Sequence, residues 1–486
     1  MKKLLLITFL LLFTLHGFSQ RFSQYNTGTL FDSFENPAQR TFIPDSSKMF
    51  ASNFLVPNLN FNFFLTGDAQ IPLKTRLFSS YYDTSPLQVG AGKYNHLNLN
   101  MNYYSIMFKI FPNINGNAEL GFSLNTKVEA KGIVSDETVA LFNGTGSFPN
   151  NSYDNIFNDN FYYQIYQQIG FSYREQIDNN FAVGIKFNAL SGVSYNKLEI
   201  DQSHVDFDKT NDQASLALQG SNYSSSNEGQ SFAQNLFPRF RNPGASISIG
   251  TTYKTEDGFT IQGNIKDLGF IHWNKASTIY SFNNIGAPVV VGGLSTASRE
   301  DSIYNKASYI TTPSASATTK TGSFTTPTNG LLELSATHSY WFGADESVKF
   351  SPTLIASKEL FYTGFTGALV APFQYKKYVI TVTSSYDDLN LFNFGGQFMI
   401  KTPNSEFFIG SESLFQSAHL ISSSIKSTPN ITPSSFTGLD FFVGFAIKFG
   451  NIIEPNMNSS SVPNGEKGFI GKLWDKLFPT DPVKNH

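Results

Sequence analysis

The sequence predicts an all-β fold, a transmembrane antiparallel β-barrel of about 14 strands. Three observations lead to it: segments with one apolar and one small or polar face, an N-terminal export signal, and a composition poor in charge but rich in phenylalanine. The clearest segment is residues 438–450, which alternates with period 2. Its apolar face, suited to hydrocarbon, carries Leu439, Phe441, Val443, Phe445, Ile447 and Phe449.

The N-terminus has the features of a cleaved signal peptide, which we assign to residues 1–19. Two lysines precede an uncharged run over residues 4–15, and Gly17 and Ser19 supply the small residues of a cleavage site before Gln20. The run is shorter than the ~20 residues that a bilayer-spanning helix needs, although a short membrane anchor is the alternative. We therefore expect the mature protein in the cell outer membrane.

The composition argues against several other classes. Charged residues make up 15% of the 486-residue chain, against ~25% in ordinary soluble domains. The hydrophobic content of 40% and the mean hydropathy of -0.18 do not fit a helical membrane protein. A barrel strand averages an apolar and a polar face, which explains the near-neutral value. The formal net charge is -3, so we expect no nucleic-acid partner.

Changes in pattern divide the chain into four segments. Residues 1–19 form the signal peptide, residues 20–44 a partial N-terminal plug of the lumen, residues 45–450 the barrel, and residues 451–486 a periplasmic C-terminal extension. We expect a monomeric barrel in contact with outer-membrane lipid. A periplasmic or outer-membrane protein partner is a further hypothesis.

Connections between the predicted strands alternate between short and long. Asp257 and Gly258 predict a tight hairpin turn. Residues 135–142 predict a short capped helix inside one of the longer connections. Two polar tracts, residues 209–235 and 305–329, are predicted to be mobile surface loops.

The C-terminal extension contains a predicted amphipathic helix over residues 466–478. Gly468 and Gly471 weaken it in isolation. Two interpretations are open: a helix lying on the periplasmic leaflet, or a helix that docks onto a partner protein. Its apolar stripe consists of Phe469, Ile470, Leu473, Trp474, Leu477 and Phe478.

The early Asn36, Pro37 and Ala38 stand beside the export signal and the phenylalanine-rich strands. In these features the chain resembles the FadL-type outer-membrane barrels, including their PorV-like members from Bacteroidota. It is also similar to an uncharacterised Bacteroidota outer-membrane barrel family. The resemblance covers most of residues 22–450 and implies a barrel whose N-terminal segment fills the lumen. The segments that match the uncharacterised family are residues 137–144, 181–187 and 265–273.

Two functions follow from this resemblance. The first is a FadL-like channel or transporter for a hydrophobic or amphipathic compound. The alternative is a non-transporting accessory or scaffold barrel of an outer-membrane secretion or assembly complex. In either case Asn36, Pro37 and Ala38 are expected either to anchor the plug in the lumen or to form a simple turn before the first strand.

Groups suited to catalysis are few. His338 falls on the apolar face of its predicted strand and Ser339 points the opposite way, so they cannot act as base and nucleophile. The chain has no cysteine, and its histidines lack the paired spacing of metal ligands. We therefore expect a non-enzyme without metal or cofactor. Asp267 and Trp273 mark either a functional constriction or, as we expect, a sharp bend followed by an interfacial tryptophan.

Overall fold

The computed structural model describes residues 27–40, 48–79, 81–112, 117–226, 238–313, 320–343, 347–362, 364–426, 436–451 and 468–477. The predicted signal peptide lies outside them. The helices are α1 (Leu30–Glu35), α2 (Gln70–Ser79), α3 (Asp136–Leu141), α4 (Arg299–Thr311), α5 (Leu414–Lys426) and α6 (Phe469–Leu477).

The strands follow the chain in this order: β1 (Lys48–Ser52), β2 (Asn58–Thr66), β3 (Tyr94–Ile110), β4 (Ala118–Ser135), β5 (Ser152–Asp154), β6 (Asn160–Gln176), β7 (Phe181–Asp208), β8 (Gln213–Ser226), β9 (Pro243–Lys254), β10 (Phe259–Trp273), β11 (Thr278–Asn283), β12 (Val289–Gly292), β13 (Lys320–Thr321), β14 (Phe324–Pro327), β15 (Leu331–His338), β16 (Tyr340–Phe342), β17 (Val348–Phe350), β18 (Thr353–Glu359), β19 (Phe365–Tyr375), β20 (Tyr378–Asp387), β21 (Phe392–Lys401), β22 (Ser405–Ser411) and β23 (Phe436–Asn451).

Antiparallel pairing closes the sheet into a barrel. The first wall strand is built from β1 and β2, and both pair with β3 on one side and with β23 on the other. The last strand therefore meets the first, and strand pairing runs around the whole barrel. Joining the pieces that continue one another gives a closed barrel of 14 antiparallel strands, so the predicted fold class is confirmed.

The two ends of the barrel differ in their connections. Tight turns at residues 177–180, 255–258 and 376–377 lie at one end, which we call the inner rim. The long connections, such as residues 67–93 and 136–159, lie at the opposite end, the outer rim. In outer-membrane barrels the end with tight turns faces the periplasm. The predicted hairpin at the inner rim is confirmed, since the residue-258 N–H donates to the residue-255 carbonyl at 3.1 Å.

Period-2 alternation separates lipid-facing from lumen-facing side chains. On β7, Phe187 is exposed on the outside of the barrel, while Lys186 and Asn188 are buried inside it. Tyr378 and Tyr386 lie exposed near the two ends of β20, as expected for aromatic girdles. None of the helices in the described residues is long and apolar enough to cross a membrane.

A small subdomain stands above the outer rim. There, β7 and β8 run beyond the wall, β11 and β12 pair with β8, and β5 pairs with the end of β7. Helices α3 and α4 complete it. We call this unit the outer subdomain, and its apolar core includes Leu141, Phe148, Phe207, Leu216, Phe282, Leu294 and Ile303.

The prediction that residues 209–235 and 305–329 are mobile loops was wrong for the parts that belong to the outer subdomain. Residues 213–226 form β8, and residues 305–311 belong to α4. The serine-rich end of β8 pairs with β7 and β11, and the alternating Ala214, Leu216 and Leu218 of its other end enter the core. The helix predicted at residues 135–142 is confirmed as α3, whose Ser135 hydroxyl accepts from the Thr138 N–H at 3.1 Å.

Helix α5 stands where the outer half of the thirteenth wall strand is missing. β22 ends early, and the Ser417 hydroxyl accepts from the Asp440 N–H at 2.9 Å and donates to the Asp440 carbonyl at 3.2 Å. The helix buries Ser417 and Ser423 and exposes Phe415 and Ile425. This reverses the pattern of a helix in water, so α5 faces lipid on the outside of the wall.

Candidate functional site: a divided lumen

The N-terminal segment lies inside the barrel. The Thr29 hydroxyl accepts from the Asp32 N–H at 3.1 Å and caps α1, which consists largely of buried residues. Phe31 and Phe34 pack against the inward-pointing Tyr104, with ring centroids 5.6 and 6.2 Å apart. An apolar patch on the inner wall therefore receives this helix.

The segment that follows α1 lies in close contact with two glycines of the wall. It consists of Asn36, Pro37 and Ala38. A Cβ added at Gly184 would lie 2.0 Å from the Pro37 carbonyl oxygen, and one at Gly250 would lie 2.2 Å from the Asn36 Oδ1 atom. The Ala38 carbonyl accepts from Arg174 Nε at 2.8 Å. The segment does turn here, with the residue-39 N–H donating to the Asn36 carbonyl at 3.0 Å, but the turn lies inside the lumen.

Six charged side chains, four of them buried and two half-buried, cross the middle of the lumen, and we call them the charged layer. Lys266 Nζ lies 3.3 Å from a Glu35 carboxylate oxygen and 3.1 Å from one of Glu333. Lys127 pairs with Asp267, and Lys186 Nζ lies 4.0 Å from the same carboxylate. Three cations thus balance three anions, as burial requires. The members are Glu35, Lys127, Lys186, Lys266, Asp267 and Glu333.

Asp267 reaches this layer through a local distortion of β10. Its φ is 44°, and the register to β9 shifts between Ile265 and Leu268. The predicted bend is therefore present. The expectation of an interfacial tryptophan was wrong, because Trp273 is fully buried inside the lumen. An indole can be buried where its N–H finds an acceptor, and here Thr326 Oγ1 accepts at 2.9 Å.

On the outer side of the charged layer lies a cavity of about 510 Å³, the outer pocket. Six of its sixteen described lining residues are aromatic. The ring centroid of Tyr195 lies 5.7 Å from that of Tyr162 and 5.3 Å from that of Phe324, and Tyr362 lies 5.8 Å from Tyr162. Trp273 packs against this cluster, with its ring centroid 5.3 Å from that of Tyr195.

Charged groups in the outer pocket are paired. Lys131 Nζ lies 2.7 Å from a Glu359 oxygen and 4.7 Å from the Tyr362 ring centroid. Lys197 lies 2.8 Å from Glu199. The pocket therefore offers flat apolar surfaces with a few fixed polar groups, which is typical of sites for small organic molecules.

On the inner side lies a second cavity of about 430 Å³, the inner vestibule. Four of its lining residues are basic: Arg40, Arg174, Lys254 and Lys349. The rest of its described lining is neutral and contains no acidic residue. The two cavities thus share one lumen and differ in chemistry.

The Ser–His candidate adopts the predicted arrangement. His338 packs outward between Phe259 and Tyr340, with ring centroids 4.7 and 4.5 Å away. The Ser339 hydroxyl lies 2.9 Å from that of Ser351, which lines the inner vestibule. The two groups therefore lie on opposite faces of the wall. Within the described residues, no cluster of three or more His, Asp or Glu side chains is arranged to hold a metal ion.

The predicted C-terminal helix is present as α6, with Phe469, Ile470 and Leu473 on it. The side chains of Trp474 and Leu477, and the whole of Phe478, lie outside the described residues. The helix contacts β6 at the inner rim. Sequence reasoning missed this contact, as it missed the outer pocket and the charged layer. Glycines on inward faces, such as Gly184, were the available signal for the N-terminal segment.

Comparison with solved structures finds other membrane barrels at very low identity. The Pseudomonas putida toluene transporter TodX is 8% identical, with a TM-score of 0.35 over 89% of this chain and 96% of that one. A Pseudomonas aeruginosa FadL homologue is 10% identical, with a TM-score of 0.39 over 87% and 94%. The translocator domain of the autotransporter NalP from Neisseria meningitidis is 7% identical, with a TM-score of 0.33 over 83% and 89%. Likenesses this distant carry no argument about what the chain binds.

No curated protein matches the sequence. A family model does match, over residues 53–412, which span most of the barrel wall. The chain therefore belongs to the family of unknown function DUF5723.

Proposed function

We propose that this protein is an outer-membrane channel for a hydrophobic or amphipathic compound, with the N-terminal segment as a luminal plug. The observation that carries the proposal is the outer pocket. A cavity of about 510 Å³ with six aromatic side chains in its wall opens at the outer end of the lumen. Its size falls within the ~300–1,000 Å³ range of small-molecule sites.

The rings of the outer pocket suit apolar cargo. Tyr162, Tyr195, Phe324 and Tyr362 present several faces and edges around one space. Each well-placed ring pair contributes about 0.5–1.5 kcal/mol beyond the burial of apolar area. A compound with an aromatic or aliphatic body would therefore leave water for this pocket.

The plug role rests on the position of α1. Glu35 joins the charged layer, and the Lys186 ammonium donates to the Phe34 carbonyl at 2.8 Å. Both cavities are therefore separated by the N-terminal segment and the charges that hold it. Passage from the outer pocket to the inner vestibule requires this segment to move.

Uptake by cells tests the proposal. A deletion strain would be complemented with the natural chain or with Tyr362→Ala, and entry of radiolabelled toluene and oleate would be followed. We expect the variant to lose about tenfold in uptake at low concentration, the size typical of one well-packed aromatic contact. Tyr386→Ala, on the lipid-facing side, is the matched control. Uptake equal in the deletion strain and the complemented strain for both compounds would contradict a channel function.

An accessory role in a secretion or assembly complex is the second hypothesis. The observation that favours it is the outer subdomain, which a simple pore does not need. Its helix α4 exposes Tyr304 and Tyr309. Co-purification in mild detergent, with the natural chain, a chain lacking residues 451–486, and a Tyr304→Ser/Tyr309→Ser variant, tests this role. A partner list that is the same for all three would count against it.

A further inference from the structure

Helix α6 is hydrogen-bonded to the outward face of β6. Glu175 shares the outward face of β6 with Phe171 and Tyr173, yet it is only 2% exposed. Its Oε2 accepts from the Ile470 N–H at 2.9 Å and from the Tyr173 hydroxyl at 2.8 Å, and its Oε1 accepts from the Gly471 N–H at 3.0 Å. A carboxylate thus caps the helix at the end where free amides and the helix dipole favour a negative charge.

Two glycines make this close contact feasible. A Cβ added at Gly468 would lie 2.5 Å from the Tyr173 hydroxyl and 2.6 Å from Glu175 Oε2, closer than atoms can pack. Gly471 is buried at the same contact. Their low helix propensity weakens the isolated helix. In the folded protein they allow the backbone of α6 to reach the wall.

Several described side chains of α6 are exposed. Phe469 is 76% and Leu473 46% exposed, and Lys472 and Lys476 are exposed beside them. Because Glu175 lies on the outward face of β6, one residue from its inner-rim end, these side chains lie outside the wall near that rim. Apolar residues next to lysines in such a place are typical of helices that lie in a membrane interface.

We propose that α6 is an interfacial anchor whose apolar side chains enter the inner leaflet beside the barrel and whose lysines bind acidic phospholipid headgroups. Two features favour lipid over a protein partner. The exposed face continues the lipid-facing surface of β6, where Phe171 is 59% exposed. Lys472 and Lys476 also complement the negative charge of such headgroups.

The test uses the full chain reconstituted in vesicles. Because the sequence has no cysteine, Leu473→Cys creates a single site for an environment-sensitive fluorophore. In vesicles of phosphatidylethanolamine and phosphatidylglycerol, we expect emission at shorter wavelength than in water and quenching by spin-labelled lipids. A label at Tyr304→Cys on the outer subdomain is the control and should report water. A label at residue 473 that reports water, or one that lipid quenchers cannot reach, would overturn the anchor.

Two variants test the contact with Glu175 and the binding of headgroups separately. Glu175→Gln should weaken the contact of α6 with the wall, and the emission spectrum of the fluorophore at residue 473 should broaden. Heat-modifiable gel migration checks that the barrel of this variant remains folded. Lys472→Gln/Lys476→Gln should shift the label back toward water in the acidic vesicles. If removing both lysines leaves emission and quenching unchanged, headgroup binding is wrong.

Discussion

The outer pocket and the inner vestibule both include residues of β6 and β7, yet they present opposite chemistry. Along β7, the inward-facing residues near the inner rim include Ala182, which lines the vestibule, whereas Tyr195 lines the outer pocket. Lys186 of the charged layer lies between them. Position along the lumen, and not a change of fold, therefore determines whether the lining consists of aromatic or of basic side chains.

The boundary between the cavities is the most constrained part of the lumen. Each charge in the charged layer is buried or half-buried and has a partner of opposite sign. Buried pairs add little net stability by themselves, but removing one member leaves an unpaired charge away from water. The division of the lumen should therefore be the feature most sensitive to mutation.

The largest effect is expected for Asp267→Ala. Both Lys127 and Lys186 would lose their shared carboxylate, and the free energy of unfolding should fall by about 3–5 kcal/mol. Chemical unfolding in detergent micelles measures it. The matched control is Asp68→Asn, which removes an exposed ion pair to Lys93 and should cost less than about 1 kcal/mol. Equal losses in the two variants would contradict a structural role for the charged layer.

Gly184→Ala should displace the plug. The added Cβ would meet the Pro37 carbonyl, so the N-terminal segment has to shift, with a cost of about 1–3 kcal/mol typical of overpacking. Ion conductance in planar bilayers should rise, because the two cavities become connected. Gly367→Ala is the control, since nothing lies within 4 Å of the added atom there. A closed channel in the Gly184 variant would show that the segment does not limit passage.

Phe324→Ala should weaken binding of an apolar compound in the outer pocket. Loss of one ring facing Tyr195 is expected to cost about 1 kcal/mol of binding free energy. Toluene titrated into purified protein measures this, with the fluorescence of Trp273 as readout in a chain that carries Trp341→Phe/Trp474→Phe. Phe373→Ala, on the outside of the wall, should bind as the natural chain does. If Phe324→Ala and Phe373→Ala weaken toluene binding equally, the outer pocket is not the binding site.

The smallest effect is expected for Lys254→Gln/Lys349→Gln in the inner vestibule. Removing two of its four basic groups should reduce the preference for anions of a channel opened by Gly184→Ala. The reversal potential under a salt gradient reports this change. Binding of toluene in the outer pocket should stay the same, because the charged layer separates the sites. An unchanged reversal potential would mean that the vestibule does not select ions.

Much of the fold is readable from local pattern. The alternation in residues 438–450 predicted a strand with one lipid-facing side, and β23 has it. The cap at Ser135 predicted α3. The prediction failed at β8, where a serine-rich stretch has no apolar alternation in part of its length and pairs only because β7 and β11 flank it. The Bacteroidota and PorV-like resemblance stays a prediction.

The sequence by itself determined which side chains face lipid and which face the lumen, because a period of two residues is a property of the strand alone. It did not determine which lumen-facing groups meet. The Asn264 side chain donates to the Glu35 carbonyl across 229 positions of sequence at 3.1 Å, and no local signal encodes that contact. Closure of the cylinder brings such groups together. The charged layer, the two cavities and the place of α6 on Glu175 are therefore decided by tertiary structure.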